Sequence, residues 1–398
     1  MRCPHGECKN KGACQQKPVP GDTCKQQVWT VARRRAPPRR ASARPPRSDS
    51  AGPRYDMMRY VKRIGVPSSN GFIDHVTDGT QSYVLKSCAK TNADNLMYEY
   101  FTGKYLNNVI QRLDFTCFLQ TYAMYMYKSE ALWYEAMAQP HRFAGNPVSA
   151  VATRVTRNTF DFTRACRMPT KVAVLIEYIS GSSLKKHVET PNWVENNLIE
   201  VLLQIYIPLS LLAEEFTHYD FHTDNVMLVA NDTQQVFRYT YNNAEIVFKS
   251  WFTAKIIDYG RCFFKDPTHA SLCSSFVYKG VCKAKECNRA ESGKCGDIVG
   301  FGWLRSEDET HNAADYYINS TLPNKSHDLR LLKMLHAQML PMVGKQRKTR
   351  LLHAVLGNVL FTDTYGTAPA ESNGTRQIRN VHDAATQLIN LYRKIKNV

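Results

Sequence analysis

Alternating apolar and polar residues predict the first strands of the chain. Residues 60–64 alternate as a strand, residues 71–76 alternate as its hairpin partner, and residues 82–86 form a third such run that ends on Lys86. Residues 65–71 are rich in turn formers, so they predict the connection between the first two strands. The globular part of the chain is therefore expected to open with an antiparallel hairpin and a third strand.

Helical periodicity follows at several places. Residues 95–101 open one helix, and a longer pattern covers residues 194–217, where apolar residues recur at intervals of three or four. Pro208 lies within the longer pattern and is expected to kink the helix. Residues 326–332 begin a further helix, and the chain ends in helices through residues 384–395.

Further strands are predicted in the second half of the chain. Residues 171–179 form an almost continuous apolar strand. Short apolar strands at 226–229 and 254–257 flank residues 236–249, which alternate around an Asn-Asn pair as a separate inserted hairpin. Helical and strand patterns thus share the chain, which predicts a mixed α and β protein.

Two polar motifs lie beside these strands and carry the candidate chemistry. Residues 218–225 have the form H-x-D-x-x-x-x-N, and a D-x-G run begins at Asp258, 33 residues after Asn225. Phosphoryl transfer needs one carboxylate to orient the attacking hydroxyl, and an amide oxygen plus a second carboxylate to hold magnesium. Asp220, Asn225 and Asp258 are these residue types in this order.

The motifs and their order resemble the protein-kinase fold over about residues 58–395. More narrowly, the chain resembles the serine/threonine kinases of nucleocytoplasmic large DNA viruses. That resemblance implies ATP-dependent, magnesium-assisted transfer of a phosphoryl group to serine or threonine hydroxyls of a protein substrate. Besides the D-x-G run, it is carried by Asn70-Gly71-Phe72, Tyr98-Glu99-Tyr100, Gly300-Phe301-Gly302-Trp303-Leu304 and Ser326–Leu332.

The resemblance also implies an α+β, bilobal fold. Residues 56–179 would form an N-lobe with a small antiparallel sheet and the hinge, and residues 180–398 a larger, mainly helical C-lobe. The hairpin at 236–249 and a cysteine-rich activation segment at 262–304 would be insertions in the C-lobe. Residues 1–55, rich in Cys, Pro and Arg, show no apolar periodicity and are predicted to be a disordered basic tail.

The resemblance implies a role for each residue of a central catalytic set. Asp220 would be the catalytic base, and Lys86 would hold the phosphates of ATP with the support of Glu99. Asn225 and Asp258 would bind Mg²⁺ or Mn²⁺. All five residue types suit these roles, since carboxylate and amide oxygens are ligands for hard cations and an ammonium pairs with phosphate.

Further residues correspond to the kinase pattern by position. Gly65 and Gly71 stand where a glycine loop covers the nucleotide, although the full G-x-G-x-x-G pattern is missing. Backbone groups from Glu177 to Ile179 would bind the adenine. Asp328 would hydrogen-bond the backbone of the catalytic loop, or serve only as an acid at a helix N-terminus.

Departures from the kinase pattern leave the phosphoryl acceptor open. Tyr219 replaces an arginine of the kinase motif, and His222, counted among the catalytic candidates, stands where such kinases carry a lysine that steadies the γ-phosphate. No A-P-E follows residues 262–304. A protein serine/threonine kinase is the leading interpretation, and a kinase-fold small-molecule phosphotransferase and a weakly active pseudokinase scaffold are the alternatives.

Charge raises a separate question about partners. Of the formal net charge of +17, about ten charges lie in residues 1–55, where thirteen Lys and Arg residues meet three acids. Such a segment can bind nucleic acid or an acidic partner, act as a nuclear import signal, or be a solvated extension. No run approaches about 18 consecutive apolar residues, so no membrane partner is expected. The predicted location is the cytoplasm, in a host cell or a virion if the chain is viral, with the nucleus as the alternative.

Eight of the twelve cysteines lie in two quartets. In a reducing compartment such clusters suggest zinc before disulfides, but neither quartet contains the C-x2-C pair of a typical zinc site. Structural Zn²⁺ at the second quartet is one expectation, and scattered thiols are the other. The first quartet is Cys3, Cys8, Cys14 and Cys24, and the second is Cys273, Cys282, Cys287 and Cys295.

Overall fold

A computed structural model shows a mixed α+β protein with a six-stranded antiparallel sheet and several helices, an arrangement compatible with a two-lobe fold. The described residues lie in one compact unit, Arg44–Val398. Residues 1–51 of the predicted tail and most of the predicted activation segment, 262–304, lie outside them. The structure describes residues 52–67, 71–88, 95–156, 172–269, 272–275, 277, 302–304, 316–318, 322–344, 346–360 and 377–396.

The sheet confirms the predicted strands at 60–64, 71–76, 82–86 and 171–179. Each strand is antiparallel to its neighbour. The third strand, which carries Lys86, lies in the interior of the sheet. In space the strands follow one another as β1 (Arg59–Ile64), β2 (Gly71–Thr77), β3 (Ser82–Cys88), β6 (Val172–Glu177), β4 (Thr121–Tyr127) and β5 (Ala152–Arg154).

Both faces of the sheet are covered, because successive side chains of a strand point to opposite faces. Ala173 and Leu175 of β6 join an apolar cluster that includes Trp133, whereas Val174, between them, packs with Leu96 in a separate one. The helices α2 (Glu130–Ala138) and α3 (Val148–Val151) lie on the first face, and α1 (Asn95–Leu113) contacts the second.

Helices dominate the second part of the described chain. The central one is α5, in which every residue from Leu198 to Ser210 is buried because the helix packs against neighbours on several sides. Within the ranges described, no helix is long and apolar enough to cross a membrane. The helices are α4 (Leu184–Val188), α5 (Pro191–Leu211), α6 (Arg330–Met339), α7 (Arg347–Leu356) and α8 (Val381–Lys396).

The prediction that the long helix reaches residue 217 was wrong. Helix α5 ends at Leu211, and the chain then forms β8 (Phe216–Thr217), which pairs with β11 (Phe263–Phe264). Pairing with a segment distant in the sequence outweighs the helical periodicity that Phe216 continues. The turn between helix and strand places His218 directly after β8.

A long ribbon replaces the three short elements predicted between residues 226 and 257. Strands β9 (Val226–Tyr241) and β10 (Ala244–Ile256) pair as one hairpin. Asn242 and Asn243 have φ values of 48° and 61°, and positive φ at both positions is what a type I′ turn requires. The predicted turn is therefore confirmed, but its hairpin is continuous with the flanking strands.

Strand β9 has more residues than β10, and an irregularity in their pairing accommodates the difference, so that the ribbon continues. The pairing shifts register between Ser250 and Phe252, and then resumes to Ile256. A short strand, β7 (Ser182–Ser183), pairs with β9 as a third strand. Two further short strands, β12 (Gly302–Leu304) and β13 (Tyr316–Ile318), pair with each other.

Gly181 permits the close approach of the segment before β7 to the ribbon. A β-carbon at this position would lie 2.1 Å from the backbone oxygen of Leu228. Gly181→Ala is expected to lower the free energy of unfolding by about 1–3 kcal/mol, because backbone must move to admit the methyl group. Urea denaturation measures this loss.

Gly344→Ala is the matched control, since nothing lies within 4 Å of the carbon that it adds. Its free energy of unfolding is expected to stay within about 0.5 kcal/mol of the wild-type value. Equal stability of the two variants would show that Gly181 is not a point of close contact.

Candidate active site

A lysine in the interior of the sheet contacts two acidic side chains from distant parts of the chain. The ammonium of Lys86 on β3 donates to the carboxylate of Glu99 on α1 at 2.7 Å, and to that of Asp258, after β10, at 2.9 Å. Glu99 is buried, whereas the side chain of Asp258 is 45% exposed. Solvent therefore reaches this cluster of three side chains at Asp258 but is excluded at Glu99.

The three charges change one another's ionisation. Burial lowers the pKa of Lys86, but the carboxylates of Asp258 and Glu99 outweigh burial and raise this pKa above its usual range. The Lys86 ammonium holds the pKa of Asp258 below its usual range. Burial raises the pKa of Glu99, an effect that Lys86 opposes. Asp258 is thus an anion at neutral pH, the state in which it can bind a cation.

The turn that presents Asp258 is held by backbone and side-chain hydrogen bonds. Asp258 has a φ of 67°, in the left-handed region that few non-glycine residues adopt. The hydroxyl of Tyr259 donates to the Ile256 oxygen at 2.6 Å and accepts from the Leu119 amide at 2.8 Å. The backbone amide of Ile257 donates to the backbone oxygen of Asn225 at 3.0 Å. These bonds stabilise the unusual backbone and place the two predicted motifs side by side.

A buried carboxylate holds the other motif. Asp328 accepts hydrogen bonds from the backbone amides of His218, at 2.9 Å, and Tyr219, at 3.1 Å. Tyr219 has a φ of 64°, which is strained for a bulky residue. The His218 ring nitrogen Nε2 lies 2.9 Å from the Ile257 oxygen. Asp328 therefore contacts the loop backbone as the kinase resemblance implies, beyond any effect on its own helix.

Two arginines flank the carboxylate of Asp220. The guanidinium of Arg330 lies 3.3 Å from it, and that of Arg261 lies 3.7 Å from it. Sequence reasoning gave neither arginine a role. Their positions were the available signal, since Arg261 directly follows the D-x-G run and Arg330 follows Asp328 by two residues.

The second histidine of the first motif, His222, does not add positive charge to the site. Burial lowers its pKa, so its imidazole is neutral at pH 7. Its Nδ1 accepts from the Asp224 amide at 3.3 Å, and its Nε2 lies 3.8 Å from the Asp220 carboxylate. Positive charge near this loop comes instead from the two arginines and from Lys185, which lies 3.2 Å from Asp224.

The two glycines of the predicted nucleotide loop are explained by local backbone geometry. Gly65 follows β1 with a φ of 66°. Gly71 begins β2, where a β-carbon would lie 2.3 Å from the Ser87 oxygen of the neighbouring strand. Of the five residues between them, 68–70 lie outside the described residues, so the proposed contact of this loop with phosphates stays a prediction.

The predicted adenine-binding segment follows β6. The backbone amide of Glu177 already donates to the Gln120 oxygen at 2.9 Å, and its carboxylate pairs with Lys255 at 2.8 Å. Ile179 is partly buried against the main apolar cluster. Because the Glu177 amide is used within the protein, adenine would have to bind other backbone groups of this segment.

Asn225 and Asp258 are the residues that fit a hard cation. The Asn225 side-chain nitrogen donates to the backbone oxygen of Asp220 at 2.8 Å, so the carboxamide oxygen is the atom left to bind a metal. In the part of the chain that the structure describes, no group of three His, Cys, Asp or Glu side chains could hold a metal ion. Magnesium on a nucleotide needs only one or two protein ligands besides the phosphates.

The zinc prediction stays a prediction. Cys273 is buried and disulfide-bonded, a state in which its sulfur would not bind zinc as a thiolate. Cys282, Cys287 and Cys295 lie outside the described residues, as does the whole first quartet.

The chain matches no protein-family model and no curated protein. The side chains of the site therefore indicate its chemistry. That site combines an ammonium at Lys86, an anionic carboxylate at Asp258 and an amide oxygen at Asn225, with a second carboxylate at Asp220 held between guanidiniums. Such a set can bind a polyphosphate with its metal ion and orient a hydroxyl group.

The buried Asp328 predicts a specific pH dependence of stability. Burial raises its pKa to about 7, although the bonds from His218 and Tyr219 oppose the rise. The folded protein thus binds this proton more tightly than the unfolded chain, whose aspartates titrate near pH 4. The contribution of Asp328 to stability is therefore greatest near pH 4 and decreases as the pH rises through 7.

Asp328→Asn removes this titration. Urea denaturation from pH 4 to 8 is expected to show the wild type losing stability relative to the variant as pH rises, by up to about 1.4 kcal/mol per pH unit. Asp232→Asn, at an exposed position of β9, is the control and should follow the wild type. A difference between wild type and Asp328→Asn that does not vary with pH would contradict the prediction.

Proposed function

We propose that this chain is an ATP-dependent serine/threonine protein kinase with a bilobal, protein-kinase-like fold. The observation that carries the proposal is the contact of Lys86 with both Glu99 and Asp258, at 2.7 and 2.9 Å. Lys86 and Asp258 are 172 positions apart, so their contact is not a local consequence of the sequence. In the kinases that the chain resembles, such a lysine contacts the phosphates of ATP and pairs with a helical glutamate.

The metal-binding residues in this proposal are Asn225 and Asp258. Both present oxygen, the ligand that Mg²⁺ and Mn²⁺ prefer, and Asp258 is anionic at neutral pH. When bound, the ion would neutralise negative charge on the phosphates of ATP. Lys86 would add a second positive charge on the same side of the site, with Glu99 holding its side chain.

Asp220 would act on the acceptor. Its carboxylate would accept the proton of the substrate hydroxyl as the hydroxyl oxygen forms a bond to the γ-phosphorus. The bond from that phosphorus to the bridging oxygen of ADP would break at the same time. Arg330 and Arg261 would orient the Asp220 carboxylate, and Asp328 would position the loop backbone that carries it.

A small-molecule phosphotransferase is the second candidate, favoured by one specific observation. Two guanidiniums lie within 3.7 Å of the Asp220 carboxylate, so the acceptor side of the site carries positive charge. This positive charge would suit a small acceptor that bears a carboxylate or phosphate group. A pseudokinase scaffold is less favoured, because Lys86, Asp220, Asn225 and Asp258 are all present.

Radiolabelled ATP with Mg²⁺ or Mn²⁺ tests the proposal on generic protein acceptors and on the chain itself. The wild type is expected to label protein. Asp220→Asn and Asp258→Ala are expected to reduce labelling by at least about 100-fold. A positioned acid–base group usually contributes at least that much to the rate. Asp232→Asn removes an exposed carboxylate of β9 and should leave labelling unchanged.

The negative outcomes separate the candidates. If no protein is labelled but ATP raises the melting temperature of the wild type and not of Lys86→Ala, the small-molecule candidate replaces the protein kinase. If ATP neither labels protein nor shifts the melting temperature, both catalytic proposals fail. Equal labelling by wild type and Asp220→Asn would exclude Asp220 as the catalytic base.

A further inference from the structure

A groove lies between helix α5, helix α8 and the β9–β10 ribbon. It consists of two cavities of about 770 and 380 Å³ that share Asn196, Asn197 and Trp251 as lining residues. We call this surface the ribbon groove. None of the candidate active-site residues lines either cavity, so an inference about it does not depend on the proposed phosphoryl transfer.

Two buried polar atoms of groove residues lack partners within the described part of the chain. Glu200 is 6% exposed and lines the larger cavity, and its Oε2 accepts no hydrogen bond there. Trp193 is 9% exposed and lines the smaller cavity, and its Nε1 donates none. A buried polar group without a partner destabilises the fold, so both atoms point to a ligand that completes them.

The face of α5 in the groove offers mainly hydrogen-bond acceptors. The Asn196 side-chain nitrogen donates to Asn192, and that of Asn197 donates to the Trp193 oxygen at 3.2 Å. Each of these two residues therefore has its carboxamide oxygen left for the groove. With Glu200 one turn further along the helix, these oxygens favour a ligand that carries N–H donors.

The charged lining of the larger cavity also favours an anionic ligand. Among the described residues that line the larger cavity, four are basic, namely Arg238, Lys249, Lys348 and Lys396, and Glu200 alone is acidic. The Lys396 ammonium lies 3.5 Å from the other oxygen of Glu200 and is 42% exposed. An anion that draws Lys396 outward would uncover the Glu200 carboxylate for a second group of the same ligand.

An aromatic surface connects the two cavities. Trp251 lines both of them and is 47% exposed, in the strand where the ribbon changes register. An indole so exposed offers a face on which a flat ring can stack. The groove thus favours three properties in one ligand, which are a flat ring, N–H donors and negative charge.

We propose that the ribbon groove binds a nucleotide whose base carries an exocyclic amino group, either free or within a single strand. The base stacks on Trp251, and its amino group donates to Glu200 or to the neighbouring carboxamide oxygens. The phosphate binds Lys396 and the other basic side chains of the larger cavity. Adenine and cytosine have the required amino group, whereas thymine lacks it.

Fluorescence anisotropy of labelled oligo-dA, oligo-dC and oligo-dT octamers with the full chain tests this proposal. The wild type is expected to bind oligo-dA and oligo-dC at least about fivefold more tightly than oligo-dT, as one extra hydrogen bond allows. Trp251→Ala should weaken binding of all three about tenfold, because it removes the stacking surface. Glu200→Met, of similar size, should reduce the preference among bases to less than about twofold.

Controls separate the groove from other sources of binding. The basic residues 1–55 are present in every protein compared, so their contribution is shared. Tyr134→Ala removes an aromatic residue that is 60% exposed on α2, outside the groove, and should bind as the wild type does. Equal binding of the three octamers by the wild type, or unchanged binding by Trp251→Ala, would overturn the proposal even if Glu200→Met failed to fold.

Mononucleotides distinguish the two sources of the ligand. CMP and TMP are titrated in EDTA, with isothermal titration calorimetry as the readout, into the wild type, Lys86→Ala and Trp251→Ala. Saturation by CMP of the wild type and Lys86→Ala, but not of Trp251→Ala, would assign a free nucleotide to the groove independently of the active site. Binding of oligo-dC without binding of CMP would assign a single strand.

Discussion

The arrangement of the candidate site depends on the two contacts of the Lys86 ammonium. This ammonium lies between Glu99 and Asp258, and so joins the interior of the sheet to α1 and to the turn after β10. Removing either carboxylate would leave a partly buried charge with half of its compensation. Because Glu99 is buried and Asp258 is half exposed, the pair holds the lysine firmly on one side and presents it to a ligand on the other.

Backbone strain at the two motifs is balanced by contacts from elsewhere in the chain. Tyr219 and Asp258 both have positive φ values, which only a few per cent of non-glycine residues adopt. Asp328 holds the first strained residue through its amide, and the Tyr259 hydroxyl holds the turn that contains the second. Both loops therefore depend on side chains that pack only when the whole fold has formed, which is a usual property of functional loops.

Much of the candidate site could be predicted, because the types of its residues and their order along the chain indicate it. The short motifs around Asp220 and Asp258 indicated a carboxylate pair, and the strand pattern indicated where Lys86 would lie. Arg261 and Arg330 were missed, since a lone arginine in a loop or at the start of a helix is usually a solvated charge. Only their approach to Asp220 from two separate segments gives them a role.

The sequence by itself determined the mixed α+β class, the antiparallel strands at the start of the chain and the turn at Asn242 and Asn243. These features depend on local periodicity and on the backbone preferences of single residues. The tertiary structure decided that α5 stops at Leu211, that the ribbon runs unbroken from β9 to β10, and that a groove forms beside Trp251. The helix end and the groove follow from pairing or packing between segments far apart in the chain, and the ribbon from a register shift within one long hairpin. No local pattern encodes the energy of such contacts.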